Sequence, residues 1–125
     1  MSGHLLDTCV LIDYLRDRDA AVQVIHRLAA LPSVSVVTIA ELYAGIRNER
    51  EHHRIESLPA LLEVREVDFE IARLAGRHCL RYRRSHGVGI PDALIAATAQ
   101  IHGARLITRN ARHFPMLGDL LVPYQ

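Results

Sequence analysis

Four polar side chains stand at positions along the chain from which they could do chemistry together. Asp7 ends the apolar run His4, Leu5, Leu6; Glu41 lies in "TIAEL" behind the β-branched run "SVSVV"; Asp92 follows Pro91 in "GIPDALIAATA"; Asn110 follows "ARLITR". Each falls where a short apolar run or a glycine loop gives way to a helical pattern. In an open α/β sheet such junctions gather along one edge, the edge at which ligands bind. Three carboxylates and an amide gathered there would repel and raise one another's pKa unless a cation neutralised them. An all-oxygen set, with no cysteine and no necessary histidine, suits Mg²⁺ or Mn²⁺. The chemistry natural to such a site is metal-assisted hydrolysis of a phosphodiester.

Each residue also has a plain structural reading. Asp7, beside Thr8, can simply satisfy the first N–H groups of the following helix. Thr38 with Glu41 forms a T-x-x-E capping box. Asp92 in a first helical turn is favoured by the macrodipole alone, and Asn110 in "TRNARHF" suits a turn or an N-cap. Spacing alone leaves both sets of readings open.

The elements that must position these groups alternate between strand and helix. His4–Leu6 reads as a first strand, with Thr8 as N-cap of the next helix. Asp19 caps a helix from Ala20 to Leu31, with Ala21, Val24, Leu28 and Leu31 at helical spacing and Pro32 ending it. Residues 33–37 form a second strand. Glu41 then falls in the first turn of a helix bearing Ile39, Leu42 and Ile46. A charged helix in "NEREHHRIESLPALLE" bends at Pro59, and "VREV" at 64–67 is a short third strand. Asp68 caps a long helix from Phe69 to about Arg84. After the loop "SHGVGI" comes a helix with Pro91 at its start and Gly103 as its stop. "ARLITR" at 104–109 is a further strand, followed by a short helix near "ARHFPML" and a strand-like "LLVPY". Alternation of this kind predicts a three-layer α/β/α architecture with a central, mostly parallel sheet, in one domain spanning 1–125.

Composition agrees with one domain: 125 residues, 50% hydrophobic, are enough for a single core. No uninterrupted apolar stretch approaches membrane-spanning length, and no basic segment with a long apolar run opens the chain, so a cytoplasmic protein with no membrane contact is expected. Cys9 and Cys79 fall within predicted helices, in neither metal-type nor paired spacing, and read as buried free thiols without a functional signal. Net charge is +1, which announces no polycation, yet all 15 basic residues are arginine. The absence of lysine disfavours phospho-accepting receiver domains and aspartyl-phosphate hydrolases. Both place an acid after a first strand, and both typically hold the phosphoryl group with lysine.

Taken in order, the motifs resemble the PIN-domain ribonucleases of the VapC type, the toxin half of bacterial or archaeal toxin–antitoxin pairs. "LLDTCVLIDYL" resembles the family's opening strand and first acid, "VSVVTIAELYAGI" its second acid, "GIPDALIAATA" its third and "ARLITRNARHF" its last motif, so the resemblance covers nearly the whole chain. It implies that Asp7, Glu41 and Asp92 are the metal-site acids, with Thr8 and Thr108 orienting them. It departs from the fullest pattern where many relatives carry a fourth acid: here Asn110 stands instead, with His113 three residues on, which lowers the expected affinity for a second ion. Asn110 then binds metal directly, binds it through water, or only shapes the pocket. The resemblance further implies a Mg²⁺- or Mn²⁺-dependent endoribonuclease that inhibits translation, forms a homodimer and is silenced by a cognate VapB-like antitoxin. In that reading Asp7 and Asp92 hold the cation while Glu41 positions or deprotonates the attacking water.

Substrate contact has a candidate too. Arg73, Arg77, Arg81 and Arg84 recur at helical spacing as one stripe, able to grip RNA phosphates or simply to form a solvated face. The eight histidines raise a metal-independent ribonuclease with a histidine acid/base pair, but His52 and His53 are adjacent on a polar helix and point apart. His26, His78 and His102 read as partly buried helix residues, and His86 lies in a loop with no evident partner. The alternative function is a catalytically weak PIN-like domain acting as an RNA- or protein-binding module, a reading that only the missing fourth acid favours.

Overall fold

A computed structural model describes residues 3–125 of the chain. Five short strands form one wholly parallel sheet: β1 (His4–Leu6), β2 (Ser33–Ser35), β3 (Glu63–Arg65), β4 (Arg105–Ile107) and β5 (Leu120–Leu121), in the order β3-β2-β1-β4-β5. Leu5 stands opposite Ser33 and Leu106, and Leu6 opposite Val34 and Ile107. Six α-helices cover the sheet: α1 (Thr8–Leu15), α2 (Asp19–His26), α3 (Val36–Ala44), α4 (Glu49–Ser57), α5 (Phe69–His86) and α6 (Ile90–His102).

Alternation along each strand divides the core between two faces. Leu6, Val34 and Ile107 meet Val10, Leu11 and Leu15 of α1, Leu42 of α3 and Ile55 of α4. Leu5 and Leu106 point the other way, onto Ile95, Ala96 and Ala99 of α6 and onto Phe114. Helix α5 adds Ile71, Ala75 and Cys79 against Ala93 and Ala97 of α6. Strands covered on both faces are apolar where they are buried, as β1 and β4 are at Leu5–Leu6 and Leu106–Ile107, and each fully buried leucine contributes about 1.5–3 kcal/mol. The chain lays β1, β2 and β3 outward in turn and then returns to set β4 on the other flank of β1. The loops leaving β1 and β4 therefore diverge, and a crevice opens between their carboxyl ends.

Several boundaries differ from the sequence expectation, each for a local reason. The second strand stops at Ser35 because the Ser35 hydroxyl accepts the Val37 amide at 3.0 Å and starts α3 two residues early. Glu41 consequently sits in the second turn of α3 rather than the first. Asp7, not Thr8, is the N-cap of α1. Asp19 does not cap α2; it lies in its first turn and accepts from Gln23 at 2.9 Å. Helix α2 ends at His26, short of Leu31, which is 55% exposed. The residue before Pro32 is disfavoured in helical backbone, while Val24 and Leu28 still pack on the core. The third strand is Glu63–Arg65, starting one residue and ending two residues before the expected 64–67, and α5 runs on to His86, where Gly87 takes the left-handed cap conformation (φ 65°). Asp68 caps α5, Gly103 closes α6 and a 3₁₀ turn begins at the Leu58–Pro59 bend, all as the sequence indicates. No helix among the described residues is long and apolar enough to cross a membrane.

Candidate active site

Asp7 is fixed from every side. Its amide donates to the Ile107 carbonyl at 2.9 Å, carrying the β1–β4 ladder one residue beyond the strand, and the residue is 5% exposed. Its Oδ1 accepts the Thr8 amide at 2.8 Å; Oδ2 accepts the Thr108 hydroxyl at 2.7 Å and the Cys9 thiol at 3.3 Å. The Thr108 oxygen in turn accepts the Asn110 amide at 2.9 Å. One hydroxyl thus ties the carboxylate after β1 to the loop after β4. Capping and site are both realised in Asp7, since one oxygen serves the helix and the other the crevice. Cys79 is buried as expected, but Cys9 is only half-buried and touches Asp7. Burial first, then the Asp7 charge, pushes its thiol up to about 11, which keeps it protonated and a donor.

Glu41 is held from α1. The Thr8 hydroxyl donates to Glu41 Oε1 at 2.6 Å, and Thr8 Oγ1 lies 2.9 Å from the hydroxyl of the fully buried Thr38. The T-x-x-E capping box does not form, because Ser35 caps α3. Glu41 also borders a cavity of about 40 Å³ between α1, α3 and α4, shared with Arg16 and Glu51.

Asp92 is different in kind. It lies in the first turn of α6, half-buried, with His113 Nδ1 at 3.5 Å from Oδ2. Burial and then the negative charge of Asp7 raise its carboxyl above the ordinary value; His113 opposes the rise and Glu41 adds to it. Asp92 therefore lies within reach of the charge of both other acids. His86, Gly87, Val88, Asp92 and His113 line a cleft of about 110 Å³, so His86, which the sequence left without a partner, belongs to the wall beside Asp92. Of the other histidines, His26 and His102 are exposed rather than partly buried, while His78 is half-buried and bonded to Gln100 at 2.6 Å. Asn110 heads the 3₁₀ turn Ala111–His113, but its side chain makes no capping hydrogen bond to it.

The donor set fits a small hard cation. Among the described residues no three His, Cys, Asp or Glu side chains close on one ion position. A cage is therefore not what the acids form. Mg²⁺ characteristically takes one or two carboxylates and keeps several waters, and the like charges around Asp92 are those a divalent ion would neutralise.

The arginine stripe lies on the exposed side of α5, where Arg73, Arg77, Arg81 and Arg84 all face outward. Arg73 is paired with Glu70 at 2.9 Å. Arg77 and Arg81 instead line a groove of about 420 Å³ with Leu74, His78, Tyr82 and Met116. No acid occurs between Glu70 and Asp92, so the helix carries uncompensated positive charge toward its end beside the Asp92 cleft.

A second anchor was not legible in the sequence. Asp13 of α1 accepts the Tyr124 hydroxyl at 2.8 Å and an Arg18 guanidinium N–H at 3.2 Å, and Arg109 Nε lies 2.8 Å away as an ion pair without hydrogen-bond alignment. Because Arg109 stands between Thr108 and Asn110, this pair pins the loop that carries both. Its partners lie far apart in the chain, and no local pattern announces them.

Comparison with known proteins accords with this geometry. A PIN-domain family model matches residues 4–118. The chain is 40% identical over 124 residues to Ribonuclease VapC19 of Mycobacterium tuberculosis, covering 96% of this chain and 98% of that one. It is 42% identical over 123 residues to Ribonuclease VapC10 of the same organism, covering 96% and 92%. Its structure is similar to that of a chain in a toxin–antitoxin complex from Klebsiella pneumoniae, with a TM-score of 0.82, 28% identity and coverage of 98% and 99%. With its motifs in order, its parallel sheet in the β3-β2-β1-β4-β5 arrangement and its acids at the β1–β4 crevice, the chain belongs to the PIN-domain family, and within it to the VapC group.

Proposed function

We propose that this protein is a Mg²⁺- or Mn²⁺-dependent endoribonuclease that acts in the cytoplasm, inhibits translation by cutting RNA and is neutralised by a VapB-like antitoxin. The observation that carries the reading is the crevice between β1 and β4, where Thr108 ties the Asp7 carboxylate to the loop after β4, Thr8 of the same helix start holds Glu41, and Asp92 lies near enough for both charges to raise its carboxyl. Its relatives named as ribonucleases and the toxin–antitoxin complex among its structural neighbours support the activity and the partner.

Asp7 and Asp92 would hold the cation, which when bound supplies Lewis-acid polarisation of the scissile phosphate and lowers the pKa of a coordinated water. The chain's own groups do the rest. Asp7 presents a carboxylate whose orientation is already set by Thr8, Cys9 and Thr108. Glu41, with Oε1 engaged by Thr8, keeps Oε2 to orient the attacking water and take its proton. Asn110 offers a neutral amide where a further acid would add charge. Arg77 and Arg81, which line one groove, grip RNA phosphates, with Arg73 and Arg84 extending the stripe.

The test is cleavage of total cellular RNA by antitoxin-free protein, with Mg²⁺ or Mn²⁺ or with EDTA, beside Asp7→Asn. Metal-dependent cutting that disappears in the variant is expected. Cutting that survives both EDTA and the substitution would sink the metal mechanism and revive the histidines. RNA binding without cutting would favour the second reading, a PIN-like binding module, which the missing fourth acid at Asn110 supports.

A further inference from the structure

Thr38 is a buried hydroxyl with no capping duty, because Ser35 occupies the N-cap of α3. It lies one turn before Glu41, on the same side of the helix, and that side faces the start of α1. Thr8 meets both residues there: its Oγ1 is 2.9 Å from Thr38 Oγ1 and 2.6 Å from Glu41 Oε1. A hydroxyl has one proton to donate, and an ionised carboxylate can only accept. The Thr8 proton is therefore committed to Glu41, and Thr8 can only accept from Thr38. The direction of both bonds follows: Thr38 to Thr8, Thr8 to Glu41.

We infer that Thr38 is a positioning residue for Glu41, acting through Thr8. The two hydroxyls form a directed relay across the start of α1 and the second turn of α3, and each bond polarises the next. The relay fixes Oε1 and leaves Oε2 as the oxygen turned to the reaction. It also explains why a polar side chain occupies a fully buried position in an otherwise apolar helix flank, where an unsatisfied hydroxyl would be destabilising. The inference rests on the reading of Glu41 as the group that orients the attacking water.

The experiment compares Thr38→Val, Thr38→Ser, Glu41→Gln and the Thr38→Val/Glu41→Gln double variant in RNA cleavage with saturating Mn²⁺. It also follows the Thr8 hydroxyl proton by NMR in the metal-free protein. Thr38→Val is expected to lower kcat by about 10- to 100-fold, the range typical of groups that orient a site's ligands, with KM for RNA unchanged. Thr38→Ser, which keeps the hydroxyl, should restore kcat to within about 3-fold of wild type. The double variant should be no worse than Glu41→Gln alone, since a relay that acts through Glu41 has nothing further to remove. In the wild-type spectrum the Thr8 hydroxyl should appear as a slowly exchanging resonance that moves in Thr38→Val. Wild-type kcat in Thr38→Val, a Thr38→Ser variant as slow as Thr38→Val, or additive losses in the double variant would each overturn the relay. So would the absence of a protected Thr8 hydroxyl, a readout available even if Thr38→Val fails to fold. Wild-type cleavage by Glu41→Gln would instead remove the reading of Glu41 itself.

Discussion

Asp7 and Asp92 feel each other's charge, yet the protein treats them in opposite ways. Asp7 is 5% exposed, with donors on both oxygens. The Asp92 side chain is 35% exposed, its nearest charged partner is the His113 ring at 3.5 Å, and burial, then its neighbours' negative charge, works against its ionisation. One carboxylate is oriented by folding; the other lacks such donors and stands near water. The contrast teaches how an acidic site can be prearranged without destabilising the fold: the buried acid is given donors and the uncompensated one is kept near water. The same division appears on a larger scale between the loop after β4, tied down by Thr108 and Asp13, and the exposed α5 face, where arginines stand without acids between Glu70 and Asp92.

Removing the prearranged acid should have the largest effect. Asp7→Asn is expected to lower RNA cleavage by about 100- to 1000-fold, as loss of a main electrostatic group in a site does, with little remaining response to added Mn²⁺; steady-state cleavage rates measure it. Breaking only its arrangement should cost less. Thr108→Val removes the donor to Asp7 and the acceptor for the Asn110 amide, and a 10- to 100-fold loss of Mn²⁺ affinity or activity is expected, by the ~10–100-fold scale of outer-shell partners; calorimetry and cleavage assays read it independently.

On the substrate side, Arg77→Ala with Arg81→Ala should raise KM for RNA by roughly 10-fold with kcat unchanged, and flatten the salt dependence of binding by about 1 unit of slope per lost phosphate contact. Fluorescence anisotropy with labelled RNA at several salt concentrations checks this. Arg73→Ala should do less, since Arg73 is already paired with Glu70.

The smallest effect is expected at Asp92, the open acid. The folded protein holds the Asp92 carboxyl above its ordinary value of 3.8, so its contribution to stability is complete below that pH and is lost as pH rises through the folded value. Asp92→Asn should therefore raise the melting temperature of the metal-free protein at neutral pH by a few degrees, on the order of what a modest stability change produces in a domain of this size. The gain should vanish as the pH is lowered toward the ordinary carboxyl value. Melting curves across that range, with and without Mn²⁺, test it, and Mn²⁺ should raise the wild-type midpoint more than that of the variant.

Much of this was legible from residue types at junctions. Asp7 after an apolar run, Asp68 before Phe69, Asp92 behind Pro91 and Gly103 at a helix end each carry a local signal, and the structure places them accordingly. Glu41 reads as a first-turn residue but stands in the second turn, because a serine cap at Ser35 overrides a β-branched run that favours strand. Periodicity also carried α2 to Leu31, although apolar spacing reports packing and not the end of a helix. Of the supports of the site, Thr8 and Thr108 come through the family resemblance, and they bond to Glu41 and Asp7; the others were not legible. Thr38 reads as a cap and Cys9 as a buried thiol without a functional signal, and Asp13 carries no local signal, since its partner Tyr124 is 111 residues away.

The most direct test of the central claim, that Asp7 and Asp92 together hold a divalent cation, is a calorimetric titration of Mn²⁺ into antitoxin-free protein and into Asp7→Asn and Asp92→Asn. Saturable binding to the wild type that weakens by at least about 10-fold in each variant is expected. Wild-type affinity in Asp92→Asn, or no binding to the wild-type protein, would contradict it.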